Sequence, residues 1–139
     1  MTYETIPARV TVVGRIDAGD GQPDLIRSEY PAEFTPLEQG FALAYDESEP
    51  PAHVTLTCRE GYALMERSGV PISRMEFVPG RTLDAAYILP EGEFDMSAAC
   101  DSLALKRGAA HGSVRIAYRL FSAGQLMSEN RLLVTYTLC

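Results

Sequence analysis

Positive charge is scarce in this sequence. Among 139 residues, 12 lysine and arginine side chains stand against 19 aspartates and glutamates, for a net charge of -7, and Lys106 is the single lysine. Proteins that bind nucleic acids draw affinity from clustered basic residues that displace counterions from phosphates, whereas here the arginines are scattered along the chain. The same scarcity disfavours a polybasic membrane-binding segment. We therefore expect neither a nucleic acid nor a membrane as partner.

Long apolar runs are also missing. Nowhere do about 18 apolar residues follow one another, and residues 1–7 have neither the positive nor the apolar region of a signal peptide. The three cysteines, Cys58, Cys100 and Cys139, are an odd number without a C-x-x-C pair, which is typical of thiols kept reduced in a cytosol. We expect a cytoplasmic protein.

Sequence signatures of catalysis and of cofactor binding are absent. The chain has no G-x-G-x-x-G, no P-loop, no G-x-S-x-G and no H-E-x-x-H. His53 and His111 are the only histidines, and the odd spacing between His53 and Cys58 places these two on opposite faces of a strand, which disfavours zinc. We expect no catalytic residue, no metal and no cofactor.

Alternation of apolar and polar residues is what the sequence has in abundance. Along Val114–Leu120 and Leu132–Leu138 every second residue is apolar, which is typical of β-strands with one buried face. Turn signals such as Asp20-Gly21 and Ala123-Gly124 separate the segments. Residues 97–106, the best helical candidate, also fit a strand followed by a turn. Shorter alternating segments lie at 10–16, 26–34, 41–45, 54–58, 62–67, 74–77, 83–87 and 94–100.

These segments predict the fold class. Short connections make neighbouring strands antiparallel, since a parallel crossover needs a dozen or more residues. About ten strands in so short a chain must stack as a sandwich or close on themselves, and a meander with tight turns favours closure. We predict an all-β fold, a closed antiparallel up-and-down β-barrel of about eight to ten strands. A single domain over residues 1–139 leaves no room for a second core.

Several segments, taken in order, resemble the YwiB-like family of small bacterial proteins. This resemblance spans nearly the whole chain, and it implies a calycin-type, lipocalin-like closed β-barrel in a cytosolic protein. It implies a fold and leaves the activity open. The segments that carry it are Phe41–Glu47, Leu64–Gly69, Met75–Gly80, Tyr87–Gly92, Ile116–Tyr118 and Asn130–Tyr136.

The barrel interior is the candidate binding site. If Met65 faces inward, Arg67 does too, because residues two apart on a strand share a face, and an internal guanidinium can hold a carboxylate or phosphate. Alternatively, Arg67 pairs with an acidic neighbour and fixes the adjacent turn. The aromatic positions Phe77, Tyr87 and Tyr118 either line a ligand cavity or fill the core. We predict these four residues as the ligand-binding set.

An acidic row, Glu91, Glu93 and Asp95, shares one face of a predicted strand, and Phe94 and Met96 share the other. Carboxylates in such a row can bind a hard cation. A solvated outer face of the barrel explains the row better, because the opposite face is apolar. We favour the solvated face.

Three function classes stay open. The first, which we favour, is a non-enzymatic module that binds a small apolar or anionic ligand inside the barrel. The second is an accessory module that docks on another protein, or on a second copy of itself, through its rim or outer surface. The third is an enzyme of unknown reaction whose residues converge only in space. The first two are compatible with a monomer or a homodimer.

Overall fold

The computed structural model describes residues 4–48 and 50–139, and this part of the chain folds into β-strands joined by short connections. The strands are β1 (Ile6–Asp17), β2 (Asp24–Leu37), β3 (Gly40–Ser48), β4 (Pro51–Arg59), β5 (Tyr62–Gly69), β6 (Ile72–Phe77), β7 (Thr82–Leu89), β8 (Gly92–Glu93), β9 (Met96–Arg107), β10 (His111–Ser122) and β11 (Gln125–Leu138). The described residues include no helix long and apolar enough to cross a membrane.

The strands form one antiparallel sheet that closes on itself. From β1 to β6, neighbours in the sheet are neighbours in sequence; β1 also pairs with β11, which continues through β10 and β9 to β7. Pairing of β6 with β7 completes the circle, and the two-residue β8 forms only a short ribbon on β7. The predicted closed antiparallel β-barrel is confirmed, with ten strands in its wall.

The register explains why the alternating sequence pattern has one buried face. Val114 lies opposite Val134 and Ile116 opposite Leu132, and all four side chains point into the barrel. Residues between them, such as Arg115, face outward and are exposed. Because the side-chain period is two, a slip of one residue would expose the whole apolar set, so burial fixes the register.

The two ends of the barrel differ. We call the end that carries the connections after β2, β4, β6 and β9 the closed end, and the end that carries those after β1, β3, β5, β7 and β10 the mouth. At the closed end the rings of Phe34, Phe41 and Tyr136 pack with centroids 4.8–5.8 Å apart and fill the interior. Gly112 is required there, because a Cβ at this position would overlap the Tyr136 hydroxyl.

Two sequence expectations need adjustment. Residues 97–106 belong entirely to strand β9, with a register shift where Tyr118 pairs with Cys100 and Ala117 pairs with Ser102. Phe94 was expected on the buried face with Met96, but its side chain is 43% exposed. The reason is that Phe94 precedes β9 in the connection at the mouth, where the strand alternation has not yet begun.

Candidate ligand-binding cavity

A cavity of about 370 Å³ occupies the mouth half of the barrel interior. This volume falls within the range of small-molecule sites, roughly 300–1,000 Å³. Its walls come from the inward positions of nearly every strand around the barrel, so the cavity belongs to the fold as a whole. The lining combines aliphatic side chains with tyrosines and several polar or charged residues; it consists of Val12, Gly14, Arg15, Ile16, Ile26, Tyr45, Glu47, Val54, Met65, Arg67, Pro71, Ser73, Met75, Tyr87, Tyr118, Asn130, Arg131 and Leu132.

Arg67 reaches this cavity from the inner face of β5, as the period-two argument predicts. Its guanidinium Nη1 forms an ion pair with Oε1 of Glu47, which lies on the inner face of β3. The side chains of Arg67 and Glu47 are 29% and 20% exposed, so water reaches the pair through the mouth. The two interpretations of Arg67 are therefore compatible: it has an acidic neighbour, and it also lines the cavity.

Tyr87 and Tyr118 line the same cavity from β7 and β10. Burial raises the pKa of the Tyr118 phenol, so this hydroxyl stays protonated at neutral pH and can both donate and accept a hydrogen bond. Phe77 does not line the cavity. Its fully buried ring packs behind Tyr118, with centroids 4.8 Å apart, and so supports that side chain from the core.

Several cavity residues lie outside the predicted set. Tyr45 stacks on Tyr30 with ring centroids 5.2 Å apart, and its pKa is raised, first by burial and then by the nearby Glu47 carboxylate. Extension of the Phe41–Tyr45 alternation by one more step would have placed Glu47 on the inner face. The alternation in the sequence could thus have identified Glu47 as the partner of Arg67.

Gly14 is a further cavity residue that lies outside the predicted set. It occupies an inward position of β1, where a side chain would point into the barrel, and a Cβ added there would come no closer than 3.9 Å to any heavy atom outside its chain neighbours. A glycine inside a strand forgoes side-chain packing and weakens the strand. At this position it leaves part of the cavity empty.

An apolar rim surrounds the mouth. In the described part of the chain, every large hydrophobic side chain that is exposed lies at or beside a mouth connection. Acidic residues share these connections, among them Asp20 and the predicted row Glu91, Glu93 and Asp95, all of which are exposed. The apolar rim consists of Ile16, Leu25, Ile26, Val70, Ile72, Ile88, Phe94, Leu126 and Met127.

Within the described residues no group of three or more His, Cys, Asp and Glu side chains is arranged to hold a metal ion. His53 is exposed and its Nδ1 lies 2.7 Å from Oδ1 of Asp46, while Cys58 is buried on the other face of the same strand. The cavity is a recess with a largely apolar lining that includes the Arg67–Glu47 ion pair.

The fold and this recess define the protein as a closed antiparallel β-barrel whose interior is filled at one end and open at the other. The family model described as "Domain of unknown function (DUF1934)" matches residues 10–134. The chain therefore belongs to the DUF1934 family.

A comparison with solved structures agrees with this assignment. The crystal structure of the ywiB protein from Bacillus subtilis is similar, with a TM-score of 0.86 and 21% sequence identity, and the match covers 99% of this chain and 95% of that chain. The resemblance to YwiB-like proteins is thereby confirmed, and at this identity the likeness establishes the fold. A search among curated proteins gives no match.

Proposed function

We propose that this protein is a non-enzymatic, cytoplasmic binding protein that holds one small, largely apolar molecule in the mouth half of its barrel. The observation that carries the proposal is the cavity of about 370 Å³ beside a closed end that is filled with aromatic side chains. A barrel of this size can pack its whole interior or keep space for one small ligand. In this chain the mouth half of the interior contains a cavity, and Gly14 on the inner face of β1 leaves part of it unfilled.

The walls indicate the polarity of the ligand. Val12, Val54, Met65 and Leu132 present apolar surface, whose removal from water provides the affinity. The polar pole is the Arg67–Glu47 pair, with tyrosine hydroxyls nearby. Because Glu47 already balances the charge of Arg67, the pole favours a neutral polar group, such as a hydroxyl or an amide, over a carboxylate.

A fluorescence titration with two related dyes tests this proposal. N-phenyl-1-naphthylamine is neutral, and 1-anilinonaphthalene-8-sulfonate is the same molecule with a sulfonate. We expect the neutral dye to bind with one-to-one stoichiometry and more tightly than the sulfonate. Gly14→Val should abolish this binding because its methyl groups enter the cavity, whereas Thr11→Val, which places its side chain on the outer face of β1, should leave it unchanged. Equal binding by both variants would place the dye outside the barrel and refute the proposal.

The charge of the pole is tested separately with Glu47→Gln. This substitution leaves the Arg67 guanidinium without its carboxylate, so the sulfonated dye should gain affinity relative to the neutral dye. If the preference between the two dyes does not change, the bound molecule does not reach Arg67, and the polar pole is not part of the site.

The apolar rim supports a second candidate, a docking function. Nine exposed hydrophobic side chains at one end are more than scattered surface residues require, and they are interspersed with acidic groups. This chemistry fits a partner surface that is apolar and basic. A leucine–lysine amphipathic peptide should then bind more tightly than a leucine–glutamate peptide of the same length, and Val70→Ser with Leu126→Ser should weaken only the former. Identical weak binding of both peptides would remove this candidate.

A further inference from the structure

Three arginines occupy outward-facing positions on neighbouring strands of the barrel, and two of them, Arg15 and Arg131, are also among the residues that line the cavity. Arg15 on β1 is directly opposite Arg131 on β11, and Arg115 on β10 is the diagonal neighbour of Arg131, because Arg131 pairs with Ala117. Directly opposed residues have Cβ atoms about 5 Å apart, and diagonal ones about 7–8 Å. Arg15, Arg115 and Arg131 are all among the residues that line one groove of about 540 Å³.

This cluster works against stability. Like charges directly opposite each other on neighbouring strands repel. None of the three guanidinium groups forms an ion pair with any residue that the structure describes, although the chain carries a net charge of -7. By contrast, Arg119 on the same face of β10 pairs with Asp101 at 3.0 Å. Carboxylates lie nearby, since Asp101 and Glu129 line one pocket together with Arg15 and Arg131, but neither forms an ion pair with these two arginines. Opposed like charges without direct ion pairs are typical of a functional site.

The groove between the arginines is apolar. Val13, Ala117 and Leu133 line it together with Leu25, whose side chain is 77% exposed. Its volume falls within the range of small-molecule sites. Guanidinium groups bind phosphate oxygens through paired, charge-assisted hydrogen bonds, and an apolar floor adds affinity for an attached organic group.

Other occupants fit this surface less well. A second copy of the chain docked by a two-fold axis would bring arginines against arginines. Single-stranded nucleic acid requires aromatic side chains on which bases stack, and the groove lining contains none. We infer that the groove is a surface site for a small organic phosphate, a phosphomonoester whose apolar portion lies on Val13 and Leu133. The groove shares Gly14, Arg15, Arg131 and Leu132 with the lining of the barrel cavity, but the inference does not rest on the proposed function of that cavity.

Calorimetric titration with 1-naphthyl phosphate tests the inference. Inorganic phosphate and 1-naphthol, the two components of this ester, are titrated separately as control ligands. We expect the phosphomonoester to bind more tightly than either component. Arg131→Gln should weaken binding about tenfold or more, since a charge-assisted hydrogen bond is lost. Arg9→Gln is the control: it removes the same charge from the same face of β1 but lies outside the groove, and it should change the affinity less than about twofold.

Thermal unfolding separates lost binding from lost folding. Removal of one of two opposed like charges should raise the midpoint of Arg131→Gln by about 1–4 °C, so weaker binding there cannot come from a damaged fold. The inference is overturned if 1-naphthyl phosphate does not bind, if Arg9→Gln and Arg131→Gln weaken it equally, or if inorganic phosphate binds as tightly as the ester. It is also overturned if Arg67→Gln rather than Arg131→Gln abolishes binding, because the probe would then occupy the barrel.

Discussion

The Arg67–Glu47 pair shows how one residue can have both a structural and a binding role. The pair links β5 to β3 across the inner face of the mouth, with both side chains half-buried. Formation of an ion pair in such a position adds little net stability, because desolvation of the two charges offsets their attraction. Removal of only one partner is costly, because the other charge is left without a counter-charge. The role of Arg67 must therefore be tested together with that of Glu47.

Arg67→Leu should destabilise the protein by about 1–3 kcal/mol, because it leaves the Glu47 carboxylate half-buried without a partner. The double variant Arg67→Leu with Glu47→Leu should recover most of that loss, since no unpaired charge remains. Both variants should stay folded, and Arg67→Leu should increase the preference for the neutral dye, because the unpaired Glu47 carboxylate repels the sulfonate. Urea unfolding measures the two free energies. A double variant that is less stable than the single one would mean that the pair itself holds the mouth together.

Cys58 should make the folded state less stable at alkaline pH. Its side chain is fully buried at the closed end, and burial raises the pKa of the thiol from 9.0 to about 12. Between these values the folded state keeps a proton that the unfolded state loses, so the stabilisation is complete below about pH 9 and is lost as the pH rises towards 12. Burial likewise raises the pKa of Tyr45 and Tyr118, which adds to the loss at high pH.

We therefore expect the urea midpoint to fall as the pH rises from about 9 towards 12, in the window that the Cys58 shift defines. Cys58→Ala should be less stable at neutral pH because it leaves a cavity, but its midpoint should fall less steeply with pH. The same slope in both proteins would assign the alkaline sensitivity to the other groups whose pKa is raised by burial, among them Cys100, Tyr45 and Tyr118.

At the scale of strands and turns, the hairpin between β10 and β11 contains a strained position. Ala123 has a φ of 50° and is followed by Gly124 with a φ of 79°. A two-residue hairpin turn with positive φ at both positions favours Asn-Gly or Gly-Gly, because a Cβ is disfavoured in the left-handed region.

Ala123→Asn should stabilise the protein by about 0.5–1 kcal/mol, since asparagine tolerates this conformation better than alanine does. The control is Ala110→Asn in the connection between β9 and β10, where no positive φ is found. Chemical denaturation measures both changes. An Ala123→Asn variant no more stable than the wild type would indicate that the turn relaxes in solution.

Most strands could be predicted from the alternation of apolar and polar residues in the sequence. Along residues 112–116 of β10 and 128–136 of β11, alternate residues are buried or partly buried, so alternation in sequence maps directly onto structure there. The pattern fails where that condition ends. Phe94 lies in a connection at the mouth, and Glu47 is a charged residue at an inward position, which a rule based on apolar alternation passes over.

The candidate site was predictable only in part, for a related reason. Strand phase placed Arg67, Tyr87 and Tyr118 inward, and the structure brings all three to one cavity. Phase cannot tell how far along the barrel axis a residue lies, so Phe77 was grouped with them although it packs in the filled half. Their role in ligand binding stays a prediction.

At the scale of the whole molecule, one half of the barrel interior is packed with side chains and the other half contains a cavity. The aromatic cluster at the closed end supplies buried area, and the mouth keeps a cavity among apolar walls. Burial of apolar surface contributes about 25 cal/mol per Å², so an interior filled throughout would be more stable. The empty space at Gly14 is therefore the feature that the proposed binding function must explain.

Native mass spectrometry of the protein purified from its own host tests this central claim most directly. The account predicts a one-to-one complex with a small molecule that dissociates under denaturing conditions, and it predicts that Gly14→Val, purified in the same way, carries none. Wild-type protein that is entirely bare, or an adduct with equal occupancy in both proteins, would contradict the assignment of the barrel cavity as the binding site.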